Sequence, residues 1–144
     1  MQEIHSDIEI KAPATRVWQL LTDFNRFPEW NPFIRRAKGE VKAGALLEVR
    51  IQPSGASGMT FKPTVLKCEP NHELRWLGRL LIPGLFDGEH IFIIEAIDTD
   101  RVRFIQREVF TGLLVPLLLR SLGSGTQRGF EEMNWALKAR AEQA

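Results

Sequence analysis

The segment Leu113–Ala144 constrains the fold most, because it is the one long stretch whose apolar residues recur at helical spacing. Leu114, Leu118 and Leu122 lie four apart, and Phe130, Met133 and Leu137 resume at three and four. Arg120, Arg128, Glu131, Lys138 and Arg140 mark the other side. This pattern predicts one amphipathic helix, bent or straight. The chain ahead of it alternates with period two, so the simplest packing lays the helix across the concave face of an antiparallel sheet. A sheet curled around a single helix encloses a volume that side chains or a guest must fill.

The middle of the helix offers little to fill it. Gly123, Gly125 and Gly129 each cost about 1 kcal/mol relative to Ala in a helix interior, so something must offset their presence. Two compatible readings follow. One is a kink or break near Ser121–Thr126, with Ser124 or Thr126 capping a second helix. The other is that the missing side chains leave room for a ligand between helix and sheet.

With 144 residues the chain suits one domain, residues 1–144, large enough to bury a core without disulfides. Its 19 basic and 18 acidic residues are mixed along the sequence, which leaves no electrostatic footprint for nucleic acid. The densest basic cluster, Arg35, Arg36 and Lys38, suits a solvated strand edge. One cysteine, Cys68, excludes an internal disulfide framework, and the start Met1-Gln2-Glu3 lacks the features of an export signal, so a cytoplasmic location is expected. The longest apolar run, Leu113–Leu119, contains Pro116 and falls well short of the ~20 residues that span a bilayer. Stable membrane insertion is therefore not expected, and the sequence leaves the oligomeric state open.

No metal or cofactor is expected either. His5, His72 and His90 sit on separate segments, and no Cys/His/Asp/Glu spacing matches a metal site. Gly55-Ala56-Ser57-Gly58 lacks the lysine of a phosphate loop. Ser121-Leu122-Gly123-Ser124-Gly125 lacks the preceding strand of a nucleophile elbow.

Taken in order, Glu3–Ile10 alternates as a half-buried strand, with Ser6 on its apolar side. Pro13 opens a helix whose buried stripe is Val17, Trp18, Leu20, Leu21 and Phe24. A second short helix or turn, Asn25–Trp30, stops before Pro32. Strands follow at Arg35–Val41, Leu46–Gln52 and Thr60–Glu69, and Leu47, Val49 and Ile51 share a face. A tight turn at Glu69–His72 sets Val65 opposite Trp76, Pro63 near Gly78 and Phe61 near Leu80. Ile82–Gly88 reads as a loop that projects Leu85 and Phe86, and Glu89–Ile97 and Arg101–Thr111 form a hairpin.

That hairpin carries the most informative chemistry. A symmetric turn at Asp98-Thr99-Asp100 opposes Ala96 with Val102, Ile94 with Phe104, Phe92 with Gln106, and His90 with Glu108, all on one face. Opposed β-carbons lie about 5 Å apart, so a His90–Glu108 hydrogen bond is expected inside the cup, with Gln106 adjacent. Inward polar groups cost stability unless they are satisfied by one another, by water or by a ligand. A structural His–Glu pair, a polar anchor for an apolar ligand, and a catalytic acid–base pair all fit.

The order of elements and several residue runs resemble the START-like, or SRPBCC, superfamily, whose helix-grip fold is shared by the birch pollen allergen group, lipid-transfer domains and polyketide cyclases. The runs are Ile8–Pro13 leading into Val17-Trp18, Asp23-Phe24, Phe27–Phe33, Leu74–Gly78 and Phe104–Gly112. The resemblance implies an α+β helix-grip fold: a seven-stranded antiparallel sheet wrapped around a long C-terminal helix, two short helices between strands 1 and 2, and an apolar tunnel. Transferred residue by residue, it implies a ligand-binding lining of Trp30, Phe33, Trp76, Leu80, Phe92, Phe104, Gln106, Glu108, Leu118, Leu122 and Gly125. Leu85 and Phe86 resemble its entrance loop, and His90 joins the polar end.

The leading functional expectation is binding or transport of a hydrophobic small molecule, such as a lipid, isoprenoid or polyketide-like compound, without a cofactor. One alternative is a cyclase or dehydratase that uses His90 or Glu108 for proton transfer. Another is a module that docks on a protein or membrane through the Pro83–Phe86 loop and Leu113–Leu119.

Overall fold

The computed structural model describes residues 2–53, 55–80 and 82–143; the side chains of Leu80, Ser121 and Leu122 lie outside that description. The elements in order are β1 (Gln2–Ile10), α1 (Ala14–Thr22), a 3-10 turn (Phe24–Arg26), α2 (Phe27–Trp30), β2 (Ile34–Lys38), β3 (Glu48–Ile51), β4 (Met59–Phe61), β5 (Thr64–Glu69), β6 (Glu73–Leu80), β7 (Phe86–Asp98), β8 (Arg101–Thr111) and α3 (Val115–Ala141). This is the α+β arrangement of antiparallel strands and a long C-terminal helix.

The strand count departs from the expected seven. Among the described residues the strands form a five-stranded sheet, β1-β8-β7-β6-β5, and a three-stranded sheet, β2-β3-β4. The expected strand Thr60–Glu69 divides at Pro63, which has no amide hydrogen to continue a ladder. Before the division Phe61 pairs with Val49 of β3, and after it Thr64 and Val65 pair with Leu77 and Trp76 of β6. Pro63 thus marks where the chain changes partners. The two sheets stay joined there: Leu47 N donates to Pro63 O at 2.8 Å, and Val65 N donates to Ala45 O at 2.9 Å.

α3 runs without a break through Gly123, Ser124 and Gly125, so no second helix is capped at Ser124 or Thr126. Phe130, Met133 and Leu137 are fully buried, as the helical spacing requires. Each contributes about 1.5–3 kcal/mol on burial, enough together to offset the glycines' lost propensity. One of those glycines is explained by packing. A β-carbon on Gly129 would lie 2.3 Å from Cδ1 of Phe33, so the Phe33 ring already occupies the space that the bare backbone leaves.

β1 is an edge strand of the larger sheet, and α3 covers that edge. The carbonyl of His5 accepts from Gln127 Nε2 at 3.0 Å, and that of Glu9 accepts from Lys138 Nζ at 2.9 Å. Helix and sheet are therefore joined by polar contacts at the rim and apolar contacts within.

Candidate functional site

The β7–β8 ladder has the register that the symmetric turn predicts: Ala96 faces Val102, Ile94 Phe104, Phe92 Gln106, and His90 Glu108. Trp76 of β6 pairs with His90 from the other side. The inner face therefore carries three polar side chains among rings. His90 lies stacked on Phe92 with centroids 4.1 Å apart, and the rings of Phe130 and Trp76 stand 5.0 and 5.5 Å away.

A chain of hydrogen bonds fixes the orientation of this polar group. The carbonyl oxygen of Phe130 can only accept, so the group 3.3 Å from it is the amide nitrogen of Gln106, which also donates to Asn134 Oδ1 at 2.7 Å. Gln106 therefore turns its oxygen to His90 Nε2, 3.0 Å away. That oxygen can only accept, so the His90 hydrogen sits on Nε2. Asn134 Nδ2 donates to Ser6 Oγ at 2.7 Å, which explains the inward serine of β1.

The expected His90–Glu108 hydrogen bond is not formed. His90 Nδ1 stands 3.7 Å from Glu108 Oε1, beyond hydrogen-bond range, and is left buried without a partner. Stacking on Phe92 holds the ring in a plane that serves Gln106 instead. Complete burial pushes the His90 pKa down to about 4, against the opposing pull of the Gln106 hydrogen bond, so the ring is neutral near pH 7. Burial likewise pushes Glu108 up to about 7. Its side chain is 17% exposed and borders a cavity of largely apolar walls.

The cavity lies between the two sheets and α3 and has a volume of about 110 Å³. Five aromatic residues border it: Phe33, Phe61, Trp76, Phe86 and Phe110. Glu108 is the one ionisable side chain among the described lining residues. Its carboxyl group fits because position 88 is glycine; a β-carbon on Gly88 would lie 2.4 Å from Glu108 Oε2. Chemically, this wall offers a single carboxyl group able to give or take a proton near neutrality. Among the described residues, no three His, Cys, Asp or Glu side chains gather as a metal site would require.

Of the residues singled out from the sequence, Phe33, Trp76, Phe86 and Glu108 border the cavity. Phe86 does so from the start of β7 rather than from a loop. His90, Phe92, Phe104 and Gln106 pack behind the wall, buried, and position it from there. Trp30 packs edge-on against Phe27, with ring centroids 5.4 Å apart, away from the cavity. Leu85, Leu118 and Gly125 are half-buried and do not border it, while the side chains of Leu80 and Leu122 fall outside the described residues. Sequence reasoning missed the wall from the smaller sheet, Val49, Ile51 and Phe61, although the shared face of Leu47, Val49 and Ile51 was the available signal. It also missed Leu119 and Thr126 of α3.

A family model described as polyketide cyclase / dehydrase and lipid transport matches residues 1–142. No curated protein matches the chain in sequence. Among solved structures, the chain is similar to a START superfamily protein from Mycobacterium smegmatis at 23% identity and a TM-score of 0.72, covering 98% of this chain and 97% of that one. It is similar to the Zhui aromatase/cyclase from a Streptomyces species at 15% identity and a TM-score of 0.74, covering 98% and 93%. The di-domain aromatase/cyclase BexL matches at 11% identity and a TM-score of 0.75, covering 99% of this chain and 48% of that one, so the chain spans about half its length. At these identities the likeness establishes the fold. No helix among the described residues is long and apolar enough to cross a membrane.

Proposed function

This chain belongs to the polyketide cyclase / dehydrase and lipid transport family, and we propose that the protein binds one small hydrophobic molecule in the cavity between its sheets and α3, with Glu108 orienting the molecule's polar group. The observation that carries this reading is the composition of the wall: aromatic rings with a single carboxyl among them. Binding energy comes mainly from apolar area removed from water, about 25 cal/mol per Å². A lone carboxyl in such a wall is costly unless a guest meets it.

Native mass spectrometry of freshly purified protein, before and after denaturation, tests the reading. A reproducible extra mass that denaturation removes is expected. A protein that carries no guest and takes up none when soaked with small aromatic compounds would overturn it.

A second reading is supported by Glu108 alone. Acid–base chemistry requires the group to reach the proton being moved, and Glu108 borders the cavity where a substrate would lie, whereas His90 does not. If the protein is a cyclase or dehydratase, Glu108→Gln removes turnover and keeps binding. Turnover that survives this substitution would exclude the role.

A further inference from the structure

If the cavity binds a guest, as the reading above has it, its size and its wall restrict what that guest can be. The cavity of about 110 Å³ is comparable with an engineered ~150 Å³ apolar cavity that holds one benzene ring. It suits a guest of about one ring. Phe33, Phe61, Trp76, Phe86 and Phe110 offer ring faces and edges to such a guest.

The polar contact has a defined sense. The Phe130 carbonyl orients Gln106, Gln106 places the His90 hydrogen on Nε2, and the Nδ1 lone pair is thereby turned toward Glu108. A carboxylate oxygen opposite a bare lone pair meets no N–H to stabilise its charge, and at 3.7 Å the lone pair is too far to take the hydrogen of the neutral acid, which stays free for a guest. The groups that face Glu108 add no positive charge. From β7 come Gly88 and His90, from β6 Trp76 and Gly78, from β1 Ile4, from α3 Leu119 and Thr126, and from the smaller sheet Val49, Ile51 and Phe61. Among the described residues, His90 is the one titratable group in this set.

We propose that Gln106, held by Phe130 and Asn134, is a positioning residue that fixes the His90 tautomer so that no ring N–H can hold Glu108 as a carboxylate, which leaves the Glu108 hydroxyl to make the cavity selective for an uncharged, one-ring molecule that presents an oxygen acceptor, and against its carboxylate analogue. Burial of Glu108 acts in the same direction.

Three nearly isosteric probes separate the parts of this statement: acetophenone, benzoate and ethylbenzene. Binding is followed by chemical-shift changes of the Trp76 indole and the Gly78 and Gly88 amides. Acetophenone is expected to bind about tenfold or more tightly near pH 5.5 than near pH 8.5, because the donor is lost as Glu108 ionises. Ethylbenzene is expected to bind equally at both, and benzoate at neither. In the ring ¹⁵N spectrum at neutral pH, His90 is expected to show a protonated Nε2 and a bare Nδ1, and Gln106→Leu is expected to lose that single-tautomer signature together with the pH dependence.

Acetophenone that binds without pH dependence, benzoate that binds as well as acetophenone, or an imidazolium signal from His90 would overturn the selectivity while leaving the binding reading intact. Failure of all three probes to perturb the cavity residues would overturn both. The wild-type comparison decides the matter even if Gln106→Leu does not fold.

Discussion

Gln106 takes the Nε2 hydrogen of His90 across 3.0 Å, while His90 and Glu108, directly opposed on the same hairpin, stand 3.7 Å apart with no hydrogen bond between them. The pair has an unusual consequence for proton counting. Unfolded, near pH 5.5, histidine is charged and glutamate ionised; folded, His90 is neutral and Glu108 protonated. Folding moves one proton from the imidazole to the carboxyl and binds none.

The pair therefore adds no pH slope to stability between about pH 4.5 and 6.5 in the wild type. Each partner alone does. In Glu108→Gln, His90 remains with a pKa depressed to about 4, so its contribution is present above about pH 6.5 and is lost as the pH falls toward 4. In His90→Leu, Glu108 remains with a pKa raised to about 7, so its contribution is present below about pH 4.5 and is lost as the pH rises through 7. Urea unfolding at a series of pH values should give slopes of opposite sign, each up to about 1 kcal/mol per pH unit. Slopes of the same sign in the two variants would contradict this.

Two of the three glycines of α3, Gly123 and Gly129, should respond oppositely to alanine. At Gly129 the new β-carbon would sit 2.3 Å from the buried Phe33 ring, whereas at Gly123 nothing lies within 4 Å. Gly129→Ala is expected to lose about 1–2 kcal/mol, overpacking exceeding the gain in helix propensity, and Gly123→Ala to gain up to about 1 kcal/mol. Denaturant midpoints at constant slope measure both.

Gly88→Ala should separate binding from folding. Its β-carbon meets the flexible end of Glu108, 2.4 Å away, so the carboxyl can swing aside at little cost. Stability is expected to change by less than about 1 kcal/mol, while the pH dependence of acetophenone binding disappears. Calorimetry near pH 5.5 and 8.5, beside a melting curve, checks the two halves. A large loss of stability with intact pH dependence would refute this account of the glycine.

The thiol of Cys68 should be slow to react in the folded protein. It is half-buried, burial raises its pKa, and its Sγ donates to the Val41 carbonyl at 3.4 Å. Alkylation near pH 8 is expected to run about tenfold slower than in denaturant, where the thiolate fraction is higher. Equal rates would show that the strand around Cys68 opens readily.

Much of the fold was legible locally. The β7–β8 pairing was readable from His90–Glu108 to Ala96–Val102 because a two-residue period and a polar turn define those facing pairs, and the α3 stripe because Phe130, Met133 and Leu137 recur at helical spacing. The division at Pro63 was visible as a residue but not as an event. Whether a proline ends a strand or sits on its edge depends on which neighbour needs its missing hydrogen.

What the chain determined by itself was thus periodicity: which residues face inward on β7, β8 and α3, and that His90, Gln106 and Glu108 share that face. Tertiary packing decided the rest. It chose Gln106 over Glu108 as the partner of His90, because Phe92 stacks the ring and Phe130 and Asn134 orient the amide. It filled the space at Gly129 with Phe33, and left the open volume beside Glu108 instead. Alternation assigns a side chain to a face of its own element, but a void and a hydrogen bond belong to several elements at once, and their positions exist only after those elements meet.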